Sequence, residues 1–161
     1  MTPGETAEAL QQRFGPGILD VVHFRGESTA VVTRESLIDA CRFCRDELGY
    51  NFLSDLTAVD WLDRRPRFDV VYHLLSLTDY VRFRLKVQAE DGEPVPTVIP
   101  LWGAANWAER EVWDLFGIEF AGHPDLRRIQ MPEGWIGHPL RKDYAQSQIT
   151  LPRPKADKAE E

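Results

Sequence analysis

No run of this sequence is apolar for the ~20 residues that a membrane-spanning helix requires. The N-terminal stretch MTPGETAEALQQRF also lacks the basic-then-apolar pattern of an export signal. The chain is therefore expected to be soluble and to stay in the compartment where it is made. Basic residues are scarce: 19 Lys and Arg stand against 26 Asp and Glu, a formal net charge of −7. Neutralising phosphates takes clustered cations, so nucleic acid is not expected as a partner. The deficit is uneven. The first sixty residues hold twice as many acids as bases, whereas residues 121–144 are close to neutral and are better suited to burial.

Cysteine is nearly absent. Cys41 and Cys44 form a lone C-x-x-C with no second pair to complete a zinc site or an iron–sulfur set. Leu37, Cys41, Cys44 and Leu48 stand at i, i+4, i+7 and i+11, one face of a helix, so the thiols are expected to pack as small apolar groups in a reducing compartment. Catalytic motifs are missing too: there is no H-E-x-x-H, no Ser or Cys nucleophile motif and no glycine loop to cradle phosphate. What remains for a stand-alone, hydrolytic enzyme is Glu109 or Glu111 as a general acid or base with His123 nearby.

What is present fits one domain, since 161 residues lie within the usual domain size. A first helix is expected over Glu5–Phe14, ended by Gly15-Pro16, then strands Ile18–Phe24 and Thr29–Val32 around Arg25-Gly26-Glu27-Ser28. The cysteine helix should run from a Thr33 N-cap to Gly49. Phe52–Trp61 reads as a strand. Phe68, Val70, Tyr72 and Leu74, and then Val81, Phe83, Leu85 and Val87, alternate with polar neighbours as half-buried strands do. The outward Arg82, Arg84 and Lys86 could hold an anion or an acidic partner, although such a face is normally just solvated. A last helix should start at Asn106, with Glu109 completing a capping box, and stop at Gly117. The fold class is thus α+β: a small two-layer domain over residues 1–117, with a mixed sheet and helices on one face. An extended irregular segment, 118–144, follows, and then a polar, mobile tail, 145–161.

Residues 101–144 hold four of the five tryptophans, and their glycines and prolines after Ile118 suit neither helix nor strand. Long irregular stretches rich in Trp, Arg and Met suit burial against a partner. The alternative is that the stretch wraps its own domain. Glu111 and Asp114 form a like-charge i, i+3 pair that Arg127, Arg128, Arg141 or Lys142 could relieve.

The run Glu109-Arg110-Glu111-Val112-Trp113-Asp114-Leu115-Phe116-Gly117-Ile118, then His123-Pro124-Asp125-Leu126-Arg127-Arg128-Ile129, resembles the signature of the respiratory complex I 30-kDa subunit family. That family includes the C subunit of bacterial NADH–quinone oxidoreductase. The likeness continues through Met131-Pro132-Glu133-Gly134-Trp135 and closes on Gly137-His138-Pro139-Leu140-Arg141-Lys142-Asp143-Tyr144, with a weaker echo at Phe52–Trp61. It implies a small α/β domain whose C-terminal segment embraces the large hydrogenase-like subunit near the quinone-reducing module. It implies no flavin, cluster or quinone on this chain, with FMN and iron–sulfur clusters in partner subunits. It further implies a peripheral place on the cytoplasmic side of the bacterial membrane, reached through the other subunits. By the same resemblance Glu109, Arg110, Glu111, Asp114, His123, Arg127, Arg128, Trp135, His138, Arg141, Lys142, Asp143 and Tyr144 would fix the segment and its docking, with no catalytic or metal role. Related subunits serve F420H2-, ferredoxin- and hydrogenase-type complexes, which leaves the electron donor open. At 18.5 kDa a long C-terminal extension is expected to be missing.

Overall fold

Alternation of apolar and polar residues builds a five-stranded sheet, and the helical stripes close over one side of it. The computed structural model describes residues 1–145; the expected mobile tail lies outside them apart from Ala145. Helix α1 spans Pro3–Phe14, two residues earlier than expected, because Thr2 and Glu5 form a capping box there. A short 3-10 turn, Gly15–Gly17, leads into β1 (Ile18–Phe24) and β2 (Glu27–Val32). The two-residue turn between them puts both Arg25 and Gly26 at positive φ, the geometry a tight hairpin needs, which is why β2 starts at Glu27. Helix α2 (Leu37–Asp46) buries Leu37, Ala40, Cys41 and Cys44. Thr33 does not cap it: its hydroxyl accepts from the Ser36 N–H at 3.3 Å and so shapes the turn before the helix.

Strands β3 (Phe52–Asp60), β4 (Phe68–Leu75) and β5 (Arg82–Ala89) complete the sheet in the order β1-β2-β5-β4-β3. Only β2–β5 is parallel, so the sheet is mixed. Register aligns Val32, Val87, Val70 and Ala58 in one inward row, and Ala30, Leu85, Tyr72 and Leu56 in the next. All are buried against the apolar faces of the three helices. Each fully buried Leu or Val on such a face is worth roughly 1.5–3 kcal/mol. The opposite face carries Arg84, Lys86, Gln88, Asp69 and His73, with none of the described helices over it. Its cations are partly neutralised in place, by Glu27 on Arg84 at 2.7 Å and by Asp69 on Lys86 at 3.2 Å.

Beyond the sheet, β6 (Val95–Pro96) and β7 (Phe120–Ala121) pair in parallel on either side of helix α3 (Ala105–Phe116). The expected Asn106 cap is corrected here. The helix begins at Ala105, and no side chain caps it. Its first N–H groups are met by a preceding turn instead, Ala105 to the Trp102 carbonyl (3.0 Å) and Asn106 to the Gly103 carbonyl (3.2 Å). Gly117 does end the helix, in the left-handed region at φ 78°.

Candidate functional site: a fastened strap

Residues 118–144 lie along the domain as a strap; of three carboxylate centres around α3 and the sheet, one braces the helix and two hold the strap. The first is Glu109, fully buried on the inner side of α3. One oxygen accepts from the Val98 N–H at 2.8 Å and the other from the Thr97 hydroxyl at 2.6 Å, which ties the helix to the loop after β6. Burial without a cation pushes this carboxyl up to about 7.

The second centre is Asp114, also fully buried, in the last turn of the helix. A single oxygen accepts from the N–H groups of Ile129 (3.0 Å), Gln130 (2.8 Å) and Met131 (2.8 Å), and the other takes the Arg128 guanidinium. Burial alone would raise this carboxyl, but the donors outweigh it and hold it below its ordinary value. Arg128 goes on to donate to the carbonyls of Trp135 (2.8 Å) and Gly137 (3.0 Å), while Arg110 donates to those of Arg127 and Arg128, both at 3.1 Å. The strap forms one short ladder, β7 on β6, contrary to the expectation that no strand survives after Ile118; past it, the glycine- and proline-rich backbone of residues 127–137 finds its partners in side chains. The His138 ring completes the centre. Its Nδ1 lies 2.9 Å from the Asp114 carbonyl, and the ring covers Gly117 so closely that a Cβ there would stand 2.6 Å from it.

The third centre fastens the end of the strap to the end of β3 and the start of β4. Asp60 and Arg67 form a buried pair at 2.7 Å. Arg67 also meets Asp143 at 2.9 Å, Asp143 meets Arg141 at 3.1 Å, and Arg141 pairs with Asp91. Asp60 additionally accepts the Lys142 N–H at 2.9 Å. Arg67 holds the Asp60 and Asp143 carboxyls far below the ordinary carboxylate range, and Arg141 does the same, less strongly, for Asp91. Both guanidiniums lie over the Phe68 ring, at 4.9 and 5.4 Å.

Of the residues singled out in the sequence, Arg110, Asp114, Arg128, His138, Arg141, Asp143 and the main chain of Trp135 and Lys142 thus converge on the strap's anchorage. Tyr144 joins them by donating its hydroxyl to the Ile136 carbonyl at 2.9 Å. Arg127 does not: it is exposed and pairs with Asp125 at 2.8 Å. Glu111 is relieved by neutral Gln130 at 2.6 Å, while Arg128 serves Asp114. The constellation of Glu109, Glu111 and His123 is not assembled. The two glutamates lie about 200° apart around the helix. His123 is taken up by its own loop, its Nδ1 accepting from the Asp125 N–H (3.0 Å) and its Nε2 facing the Asn106 carbonyl (3.2 Å). Sequence reasoning missed Asp60, Arg67, Asp91 and Thr97, whose partners are remote in the chain; the echo at Phe52–Trp61 is the only signal that touches one of them. No three His, Cys, Asp or Glu side chains converge as a metal set among the described residues.

The family model of the respiratory-chain NADH dehydrogenase 30 Kd subunit matches residues 30–150. The C subunit of NADH-quinone oxidoreductase from Geobacter sulfurreducens is 52% identical over 137 residues, which cover 84% of this chain and 85% of that protein. Its counterpart of the same name from Geotalea uraniireducens is 50% identical over 136 residues, covering 84% and 83%. Among solved structures, a chain of the membrane-bound sulfane sulfur reductase, an archaeal respiratory membrane complex, superposes with a TM-score of 0.69 at 23% identity over 98% of both chains, a likeness of fold. The chain belongs to the 30-kDa subunit family of respiratory-chain NADH dehydrogenase and is a complex I-type subunit.

Proposed function

We propose that the chain is a non-catalytic scaffold of a proton-translocating NADH–quinone oxidoreductase, docked through residues 118–144 on the large hydrogenase-like subunit of the quinone-reducing module. In this reading FMN, iron–sulfur clusters and quinone are held by the partner subunits. The chain sits peripherally on the cytoplasmic side of the membrane; none of its described helices is long and apolar enough to span one. The observation that carries the reading is the division of labour along the strap. The signature cations Arg110 of α3 and Arg128 and Arg141 of the strap are committed to this chain's own carbonyls and carboxylates, whereas Ile129, Ile136 and Leu140 stand 39%, 74% and 52% exposed. A preformed ribbon with aliphatic groups turned outward offers a partner an ordered apolar surface and little ordering cost. The test is affinity purification of a tagged chain from its native host. Recovery of stoichiometric flavin and iron–sulfur subunits is expected; recovery of the chain alone, turning over a small substrate, overturns the reading.

A further inference from the structure

The strap is not the whole of the exposed docking surface. Strand β3 closes the sheet on the side away from β1, and its only ladder partner among the described residues is β4. Among the described residues no main-chain bond reaches the outer edge of Phe52–Val59. A groove of about 260 Å³ runs beside that edge, bounded by β3, by the outer side of α3 and by the strap. Its apolar walls include Trp107 and Ile129, 60% and 39% exposed. Its charged lining among the described residues is Asp55 and Glu111; neither forms an ion pair there, while Asp55 also borders the adjacent cleft of His73, Arg82 and Arg84.

An open strand edge is a template for another strand, and natural sheets that leave one open commonly blunt it with lysine, proline or a covering element. Along Phe52–Val59 there is no Lys and no Pro, and the one irregularity is the register shift at Leu53/Asp55. The edge, the apolar groove and the two carboxylates without an ion pair among the described residues are continuous with the strap's aliphatic ridge through Ile129. We propose that β3 and this groove receive an extended segment of a partner subunit, paired as an added strand, with an aliphatic side chain seated against Trp107 and Ile129 and a Lys or Arg between Asp55 and Glu111. The occupant's sign follows from the lining. A second copy of this chain, paired through the same strand, would bring Asp55 of one copy toward carboxylates of the other, a like-charge arrangement. The proposal rests on the docking role above and assigns it a second face.

The experiment uses the assembled complex, purified from the native host with a photo-cross-linking amino acid in place of exposed Ser54. The expected adduct is a peptide of another subunit that contains Lys or Arg. Amide exchange over residues 52–59 is expected to slow at least tenfold in the complex relative to the isolated chain, as main-chain pairing requires. Charge reversal in D55K/E111K is expected to lower the yield of complex at least tenfold. The milder D55N/E111Q, which cannot repel a cation, is expected to lose less. Both variants should keep the melting temperature of the isolated chain, since neither carboxylate holds a partner within the fold beyond Gln130. Cross-links confined to residues 146–161 of the same chain, cross-links to a second copy, or unchanged exchange over 52–59 in an intact complex overturn the inference. Because the complex is recovered in those cases, they leave the scaffold reading standing; failure to recover it strikes the scaffold reading instead.

Discussion

Glu109 holds two loop donors and faces no cation, so its protonation is set by burial against two hydrogen bonds. Its value rises from 4.5 to about 7. The folded chain therefore keeps a proton that the unfolded chain has lost across that interval. The stabilisation is complete below about 4.5 and disappears as pH rises through 7, for a total of about 3 kcal/mol. Replacement by glutamine keeps an acceptor for the Val98 N–H and removes the charge. E109Q is expected to melt at or above the parent at pH 8, and to show a flatter dependence of melting temperature on pH between 5 and 8. A parent-like slope in that variant would sink the assignment. The carboxyls of Asp60, Asp91, Asp114 and Asp143, all held low, act in the opposite sense, and their stabilisation is lost only under more acidic conditions. Cys41 and Cys44 test burial in a different way. Both are fully buried, and desolvation pushes both thiols well above their ordinary value. Thiolate is the reactive form, so a maleimide should leave both unlabelled in the folded chain and label both in denaturant. Rapid labelling of the native chain would place them outside the core.

Helix α3 is the element through which strap and domain are joined, and Asp114 is the charge on which that joint turns. Removing one member of a buried hydrogen-bonded charge pair costs roughly 3–5 kcal/mol, because the partner is left uncompensated. In D114A three strap N–H groups and Arg128 lose their acceptor together. The expected result is trypsin cleavage after Arg127 and Arg128 at least tenfold faster than in the parent, while peptides from β4 and β5 stay protected. Equal cleavage rates would mean that the strap is held elsewhere. The same helix measures how far the sequence can be read. Its apolar stripe and its Gly117 stop follow from 3.6-residue periodicity and from the backbone demand for positive φ, both local properties. Its start does not: Asn106 and Glu109 have cap-like spacing, yet a turn from Trp102 supplies the first acceptors and frees Glu109 for Thr97 and Val98. Strands β4 and β5 are legible from their alternation. The parallel pairing of β2 with β5 is not, because crossovers leave no periodic mark. The site is half legible for a related reason: resemblance marks Asp114, Arg128 and Arg141, but the acceptors on which Arg67 and Arg141 depend lie 50 or more residues away in some cases, and no spacing rule joins them.

At the scale of the molecule, the residues that hold the strap are largely separate from those it exposes. Sequence alone leaves residues 118–144 two settings, burial against a partner or wrapping of their own domain. The structure shows the second for the strap's polar groups, which Asp114, Asp60, Arg67 and Asp91 of the same chain meet. Arg141 is an internal fastener, and the Trp135 carbonyl serves Arg128. The two roles can therefore be separated by mutation. R141A removes the pairs with Asp91 and Asp143 while leaving the aliphatic ridge in place. It should lower the melting temperature of the isolated chain by several degrees, as a loss of about 1–2 kcal/mol does in a chain of this size. I136D/L140D leaves those pairs untouched and places charge where an apolar partner surface would sit. Truncation of a central interface residue costs upward of ~2 kcal/mol, and two such losses correspond to more than a tenfold drop in association. The double variant should keep the parent melting temperature and fall at least tenfold in recovery with the complex. The measurement pairs thermal unfolding of each purified chain with the ratio of tagged subunit to iron–sulfur subunits in the assembled enzyme. If R141A assembles poorly at an unchanged melting temperature, or I136D/L140D assembles normally, fastening and docking are not divided in this way, and Arg141 itself reaches the partner.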